Sequence, residues 1–265
     1  MQYQLEGSGP VIVLIHGLFG DLDNLAGCAR ALREQGFQTL RLSLRNHGGN
    51  PPEATMSFPE MAEDLERLRR QLSISRWALL GHSLGGKVAM AYAQAHPEHC
   101  WGLLVADIAP GAYPRRHDTV FTALRQLEPA TLNNRQQAQQ QLAQAGIDLP
   151  TAAFLVKNLR PLEAGGFYWR LNLDAIIDAY PSLIDAIPEA PPYLGPVMFL
   201  KGGYSDYLQS RHRDDIQARF PEAQMKILLG AGHWLHAQKP VQFNRLAAEF
   251  FRAHHPHGDT QTAVV

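Results

Sequence analysis

Residues 79–90 read LLGHSLGGKVAM: three glycines, a histidine and a serine set between two apolar runs. The flanks give the cluster its meaning. RWALLG (76–81) has the composition of a buried strand, and LGGKVAMAYAQAHP (84–97) that of a helix rich in small residues. Gly81-His82-Ser83-Leu84-Gly85 is therefore a G-x-S-x-G pentapeptide at a strand-to-helix turn, and that context separates a presented serine from a chance match. Such a turn strains the serine backbone, which is tolerated where the residues two before and two after carry no side chain. Gly81 and Gly85 meet that need. A helix beginning at Leu84 aims its free N–H groups and the positive end of its dipole at the same point, favouring negative charge there.

A serine hydroxyl is a weak nucleophile without a base, so the reading demands a histidine. LLGAGHWLHAQKP (228–240) supplies His233 in a glycine-rich loop after the last strand-like run, with His236 ranked below it because it lies nearer the following helix. His82, His96, His99, His117 and His212 read as surface or packing residues. HGLFG (16–20) ends the first strand-like run, and a backbone N–H of Leu18 or Phe19 is expected to meet that of Leu84 around a developing oxyanion. Each such donor is worth roughly 3 kcal/mol in the transition state. His16 reads as a structural hydrogen-bonding residue. Two aspartates compete to orient His233: Asp107 ends LLVAD, and Asp206 follows VMFLKG in GGYSDY. Both stand at carboxyl ends of strands, where open α/β sheets place their sites, and spacing does not choose between them. Either has a plainer reading, Asp107 as a turn cap and Asp206 as the N-cap of a helix over 207–219.

Outward from this centre, strand and helix patterns alternate. VIVLI (11–15) is a short all-apolar strand suited to burial on both faces of a parallel sheet. A helix is expected over 23–36 with Leu25, Ala29 and Leu32 inward and Gly36 as C-cap. FQTLRLSL (37–44) reads as a strand, and 57–72 as an amphipathic helix with Ser57 and Glu60 forming a capping box. WGLLVAD (101–107), PVMFLKG (196–202), AQMKILLG (223–230) and the helix at 241–254 complete the series. Repeated βα units imply an α/β fold, a mainly parallel twisted sheet flanked by helices. Residues 110–195 are richer in Gln, Asn and Pro and read as a helical insertion, since a structureless loop of that length is improbable. The expected organisation is a core of 1–109 and 196–254, a helical cap of 110–195, and a flexible tail of 255–265, whose His255 and His257 read as part of a frayed end rather than a metal site.

Composition narrows the function. Twenty-four basic against twenty-five acidic residues leave no overall field for nucleic acid or an anionic membrane, and 45% hydrophobic residues fit a globular chain. VIVLI is too short for a membrane span, and MQYQLEGSGP ahead of it has no basic segment, so a cytoplasmic location is expected. Cys28 and Cys100 are too few for a disulfide framework and read as idle thiols. No phosphate-loop, dinucleotide or zinc-ligand spacing is present in the sequence, so no cofactor or metal is expected.

With those residues in place, 11–110 and 195–253 resemble the α/β-hydrolase family. DNLAGCARAL, RNHG, GHSLGGKVAMAYA, DIAP, RRHDTVF, FYWRLNLDAI and GAGHWLHAQKP are similar, more closely, to the YbfF-type bacterial esterases. The resemblance implies an α/β-hydrolase fold with a helical cap insertion and places the acid at the aspartate of DIAP, Asp107. It puts Ser205 in a supporting role, because Gly202-Gly203-Tyr204-Ser205 occupies the G-x-x-D register common in the wider family. Asp206 stays as the alternative acid. The implied activity is hydrolysis of a short- to medium-chain acyl ester or thioester by Ser83, His233 and Asp107, with Leu84 and Leu18 as oxyanion donors. A cofactor-free carbon–carbon lyase using the same three side chains is the alternative. Phe121, Leu124, Phe154, Leu155, Phe167 and Trp169 either line an acyl channel or pack the cap onto the sheet, and Arg115, Arg116 and Lys87 read as solvated charge.

Overall fold

The computed structural model describes residues 1–255. The first half of the core runs β1 (Tyr3–Glu6), β2 (Val11–Ile15), α1 (Ala26–Arg33), β3 (Gln38–Leu42), α2 (Phe58–Gln71), β4 (Trp77–His82), α3 (Leu84–Ala95) and β5 (Cys100–Ala106). An insertion follows: α4 (Asp118–Gln126), α5 (Arg135–Gln144), α6 (Leu149–Leu155), the hairpin β6 (Leu159–Pro161) and β7 (Phe167–Trp169), and α7 (Leu173–Ile184). The chain returns through β8 (Val197–Gly202), α8 (Arg213–Arg219), β9 (Ala223–Leu228), α9 (Leu235–Gln238) and α10 (Pro240–His254).

Seven strands form one sheet in the order β1-β3-β2-β4-β5-β8-β9. β1 is antiparallel to β3, and the other neighbours are parallel. β2, β4 and β5 are buried along their whole length, which is why they are spelled as unbroken apolar runs. Their side chains divide by the period of two. Val13, Ile15, Leu79, Leu103 and Val105 pack with α2 and α3 on one face. Ile12, Leu14, Ala78, Leu80 and Leu104 pack with α1 and α10 on the other. Burying a large aliphatic side chain contributes about 1.5–3 kcal/mol, so this two-sided core fixes the sheet on which the loops rest.

The α2 capping box forms as its sequence predicts: Ser57 accepts from the Glu60 N–H, and the Glu60 carboxylate accepts from the Ser57 N–H at 2.9 Å. Several expectations need correction. α1 is shorter than 23–36, closing on Glu34, and Gly36 lies beyond it with φ +84°. β1, drawn from YQLE, was not read from the sequence at all. Residues 207–219 do not form one helix: a 3-10 turn at Ser210–His212 leads into α8, whose N-cap is His212, so Asp206 caps nothing. The insertion is helical but also carries the β6–β7 hairpin. Apart from His255, the expected tail of 255–265, with His257, lies outside the described residues. Among the described residues no helix is long and apolar enough to cross a membrane.

Candidate active site

Five loops at the carboxyl edge of the parallel strands supply the site, following β2, β4, β5, β8 and β9, where open α/β sheets place their sites. Ser83 is the single residue between β4 and α3, with φ 53° and ψ −120°. The turn is possible because bare backbone meets bare backbone. A Cβ on Gly81 would sit 2.1 Å from the Gly85 carbonyl oxygen, and one on Gly85 would sit 2.3 Å from that of Ile15. Glycine at both positions lets the first turn of α3 settle onto the end of β2.

Ser83 Oγ lies 3.0 Å from His233 Nε2, and His233 Nδ1 lies 2.7 Å from Asp107 Oδ2. A carboxylate only accepts, so Nδ1 carries the proton and Nε2 is left to accept from the serine hydroxyl. Asp107 is fully buried and also accepts from the Gly202 N–H at 2.9 Å and from the Ser205 hydroxyl. Three donors compensate the burial of its charge. The loop carrying His233 is braced twice. The Tyr207 ring stacks on the imidazole at 3.8 Å and 17°, and His82 Nε2 donates to the His233 carbonyl at 2.8 Å. His236 stays outside this chain, its ring edge-on to His82 and its pKa pulled to about 4 by burial and then by His233. Asp206 is exposed and accepts from Arg116 at 2.8 Å, and that hydrogen bond holds its carboxyl below the ordinary range.

In the turn after β2 the Leu18 and Phe19 amides differ in what they meet. The Phe19 N–H donates to His47 Nε2 at 3.1 Å, so it is already engaged. Among the described residues the Leu18 and Leu84 amides meet no protein acceptor. Gly17 brings this turn against the serine, since a Cβ there would lie 3.2 Å from Ser83 Cβ. His16 accepts from the Leu44 N–H and donates to the Gly17 carbonyl. Burial, then the neighbouring His47, pulls its pKa to about 3. Asn158 of the insertion donates to the Phe19 carbonyl at 2.7 Å. Neither His47 nor Asn158 stood out in the sequence as a brace; for His47 the available signal is its place in RNHG, for Asn158 there is none.

A cavity of about 50 Å³ opens onto Ser83, walled by Leu18 and Ile108 from the core and by Tyr113, His117 and Leu183 from the insertion. None of the six residues weighed for an acyl channel lines it. Phe121, Leu124 and Leu155 are buried in the packing of the insertion, Phe121 edge-on to Tyr180 at 4.7 Å. Phe154 packs on Trp234, and Phe167 and Trp169 pack against the core from the β6–β7 hairpin. Lys87, expected in solvent, is 1% exposed and lines the cavity. Arg116 bridges to Asp206, while Arg115 pairs with Asp118 at the surface. Burial pushes the Cys28 and Cys100 thiols up to about 12 and about 11, which leaves both unreactive at neutral pH. Among the described residues no cluster of three or more His, Cys, Asp or Glu side chains is arranged to hold a metal.

The sequence profile of the family described as "alpha/beta hydrolase fold" matches residues 10–240. Esterase YbfF of Escherichia coli (strain K12) is 37% identical over 238 residues, covering 89% of this chain and 91% of that protein. The sn-1-specific diacylglycerol lipase ABHD11 of Mus musculus is 37% identical over 249 residues, 91% of this chain and 80% of its own. Among solved structures, a marine microorganism esterase superposes with a TM-score of 0.91 at 35% identity, covering 94% of this chain and 98% of the other.

Proposed function

Because the chain belongs to the α/β-hydrolase family and is a hydrolase of the esterase type, we propose that it cleaves carboxylic esters through an acyl-enzyme on Ser83. The observation that carries the reading is the continuous chain from Ser83 through His233 to Asp107. Ser83 Oγ bonds to the acyl carbonyl carbon as its proton passes to His233 Nε2. The resulting oxyanion draws on the Leu18 and Leu84 N–H groups and on the N-terminus of α3. The intermediate collapses with departure of the alcohol, which takes the proton from His233. Water, deprotonated by the same nitrogen, adds to the acyl carbon, and collapse releases the acid as Ser83 Oγ takes the proton back from His233. Asp107, held by Gly202 and Ser205, keeps the imidazole in the productive tautomer and stabilises the imidazolium. A cavity of about 50 Å³ favours short acyl groups among the short- to medium-chain esters and thioesters.

The test is Ser83→Ala assayed on p-nitrophenyl acetate, with a fluorophosphonate probe applied to both proteins. Turnover should fall by roughly 10⁴-fold or more, and labelling should vanish from the peptide containing residue 83. Activity within tenfold of the parent would overturn the assignment. An acyl adduct on Ser83 also separates this mechanism from the carbon–carbon lyase alternative, which abstracts a proton and forms none.

A further inference from the structure

Lys87 is a buried cation that the proposed chemistry leaves unused. It sits one turn into α3, and its backbone N–H donates to the Ser83 carbonyl at 3.2 Å. An ammonium out of water is costly unless each N–H finds an acceptor. Here the three protons face three backbone carbonyls: Gly111 at 2.8 Å, Ile184 at 3.5 Å, and Asp185. The Phe58 and Tyr113 rings flank the ammonium at 5.6 and 5.0 Å. Desolvation leaves its mark in a pKa drawn down to about 7, against the pull of Asp185 and Asp215. A methionine or leucine would fill this space without that cost, so the lysine is there for its donors.

Those acceptors lie at two particular places. Gly111 belongs to the connection that leaves β5 for the insertion, Ile184 is the last residue of α7, and Asp185 opens the connection that returns from it. The two connections also bond to each other, Tyr113 N–H to the Ile184 carbonyl at 2.8 Å and Ile187 N–H to the Pro110 carbonyl at 2.9 Å. Tyr113, Leu183 and Ile184 on these segments form one wall of the cavity above Ser83. Any shift of the pair away from α3 would therefore deepen the space available to an acyl chain.

We propose that Lys87 is a positioning residue: it clamps both connections of the cap to the helix that follows Ser83 and thereby sets the acyl length the cavity accepts. The proposal rests on the esterase reading of that cavity. With the clamp in place the wall formed by Tyr113 and Ile184 stays against α3 and short acyl groups are selected. Without it the connections lose their hold on the start of α3, the return one keeping the bonds of Gln94 to Ala190 and Pro191 near the far end of the helix, and their pairing to each other opens more readily.

The experiment compares the wild-type chain with Lys87→Met, which keeps the length and removes every donor. Lys87→Gln keeps two donors on an arm too short to reach both connections, and serves equally if the first variant does not fold. Each protein is assayed for kcat/KM on p-nitrophenyl acetate and octanoate, and amide exchange is followed at Tyr113 and Ile187. The octanoate-to-acetate ratio should rise by about tenfold or more, with exchange at both amides about tenfold faster, as expected on losing a charge-assisted bond. A residue that merely supports the fold would depress both esters together and leave the ratio where it was. A ratio within about threefold of the parent, or unchanged exchange at the two amides, overturns the clamp. Failure of the underlying reading looks different: the wild-type protein would then be unlabelled at Ser83 and inactive on either ester.

Discussion

Moving from pH 8 to pH 5.5 should cost the fold at least about 3 kcal/mol, because histidines beside the site are buried neutral, His16, His47 and His82 among them. His16 is 1%, His47 0% and His82 5% exposed. His16 and His47 each use one ring nitrogen to accept a backbone N–H, a lone pair that protonation would remove. Burial pulls His16 to about 3 and His47 to about 4, and drives His82 well below 6.5. In the unfolded chain all three return to about 6.5. Below that pH the unfolded state takes up protons that the folded state refuses. The stabilisation is therefore complete above pH 6.5 and is lost as pH falls toward 4. At pH 5.5 His16 and His47 each contribute a loss of about 1.4 kcal/mol, and by pH 5 the two together reach about 4 kcal/mol, a large part of the stability of a marginal domain, with His82 adding in the same direction. Urea unfolding followed by the fluorescence of buried Trp77 and Trp101 at pH 8, 6.5 and 5.5 gives the slope directly. His47→Gln should flatten it by up to one proton, about 1.4 kcal/mol per pH unit. A stability that changes by less than about 1 kcal/mol between pH 8 and 5.5 would refute the argument that these rings are held neutral.

Two further outcomes separate roles at the elbow and its acid. Asp107→Asn should lower kcat by about 10⁴-fold, while Asp206→Asn should lower it by less than about tenfold, and the reverse order in a steady-state ester assay would reassign the acid. Gly85→Ala, which drives a Cβ to 2.3 Å from the Ile15 carbonyl oxygen, should destabilise by about 3 kcal/mol in urea unfolding. Gly27→Ala in α1, where nothing lies within 4 Å, should stabilise by about 0.5–1 kcal/mol in the same measurement.

Local sequence carried the elements whose signals are local. The unbroken apolar strands, the Ser57–Glu60 box and the glycine-flanked serine each depend on residues within a turn of one another. β1 escaped notice because it is four residues long and alternates at a half-exposed edge, a pattern that means little until β3 is beside it. β6 and β7 are three residues each and exist only as a pair. Lys87 was misread for a related reason. Its neighbours in sequence are those of an ordinary helix, while its acceptors lie 24, 97 and 98 residues away. His47 likewise gains its function from an amide 28 residues earlier. Of the two readings open for Phe121, Leu124, Phe154, Leu155, Phe167 and Trp169, packing holds and the channel does not, because those side chains hold the insertion together and onto the core.

The pair of aspartates shows how a one-residue offset decides a placement that spacing leaves open. Ser205, Asp206 and Tyr207 are consecutive after β8, yet their side chains go three ways. Ser205 turns inward to Asp107, Asp206 outward to Arg116, and Tyr207 lies flat on His233. A carboxylate at the inward position would sit against Asp107 and repel it at low dielectric, so a hydroxyl that donates is the compatible occupant there. The outward carboxylate is instead neutralised by a cation of the insertion, whose guanidinium also rests 4.8 Å from the Tyr207 ring. One short loop thus braces the buried acid, stacks on the imidazole and grips the insertion that walls the cavity. Asp206 is well placed for the last of these and excluded from the first, because both nitrogens of His233 are already taken by Asp107 and Ser83.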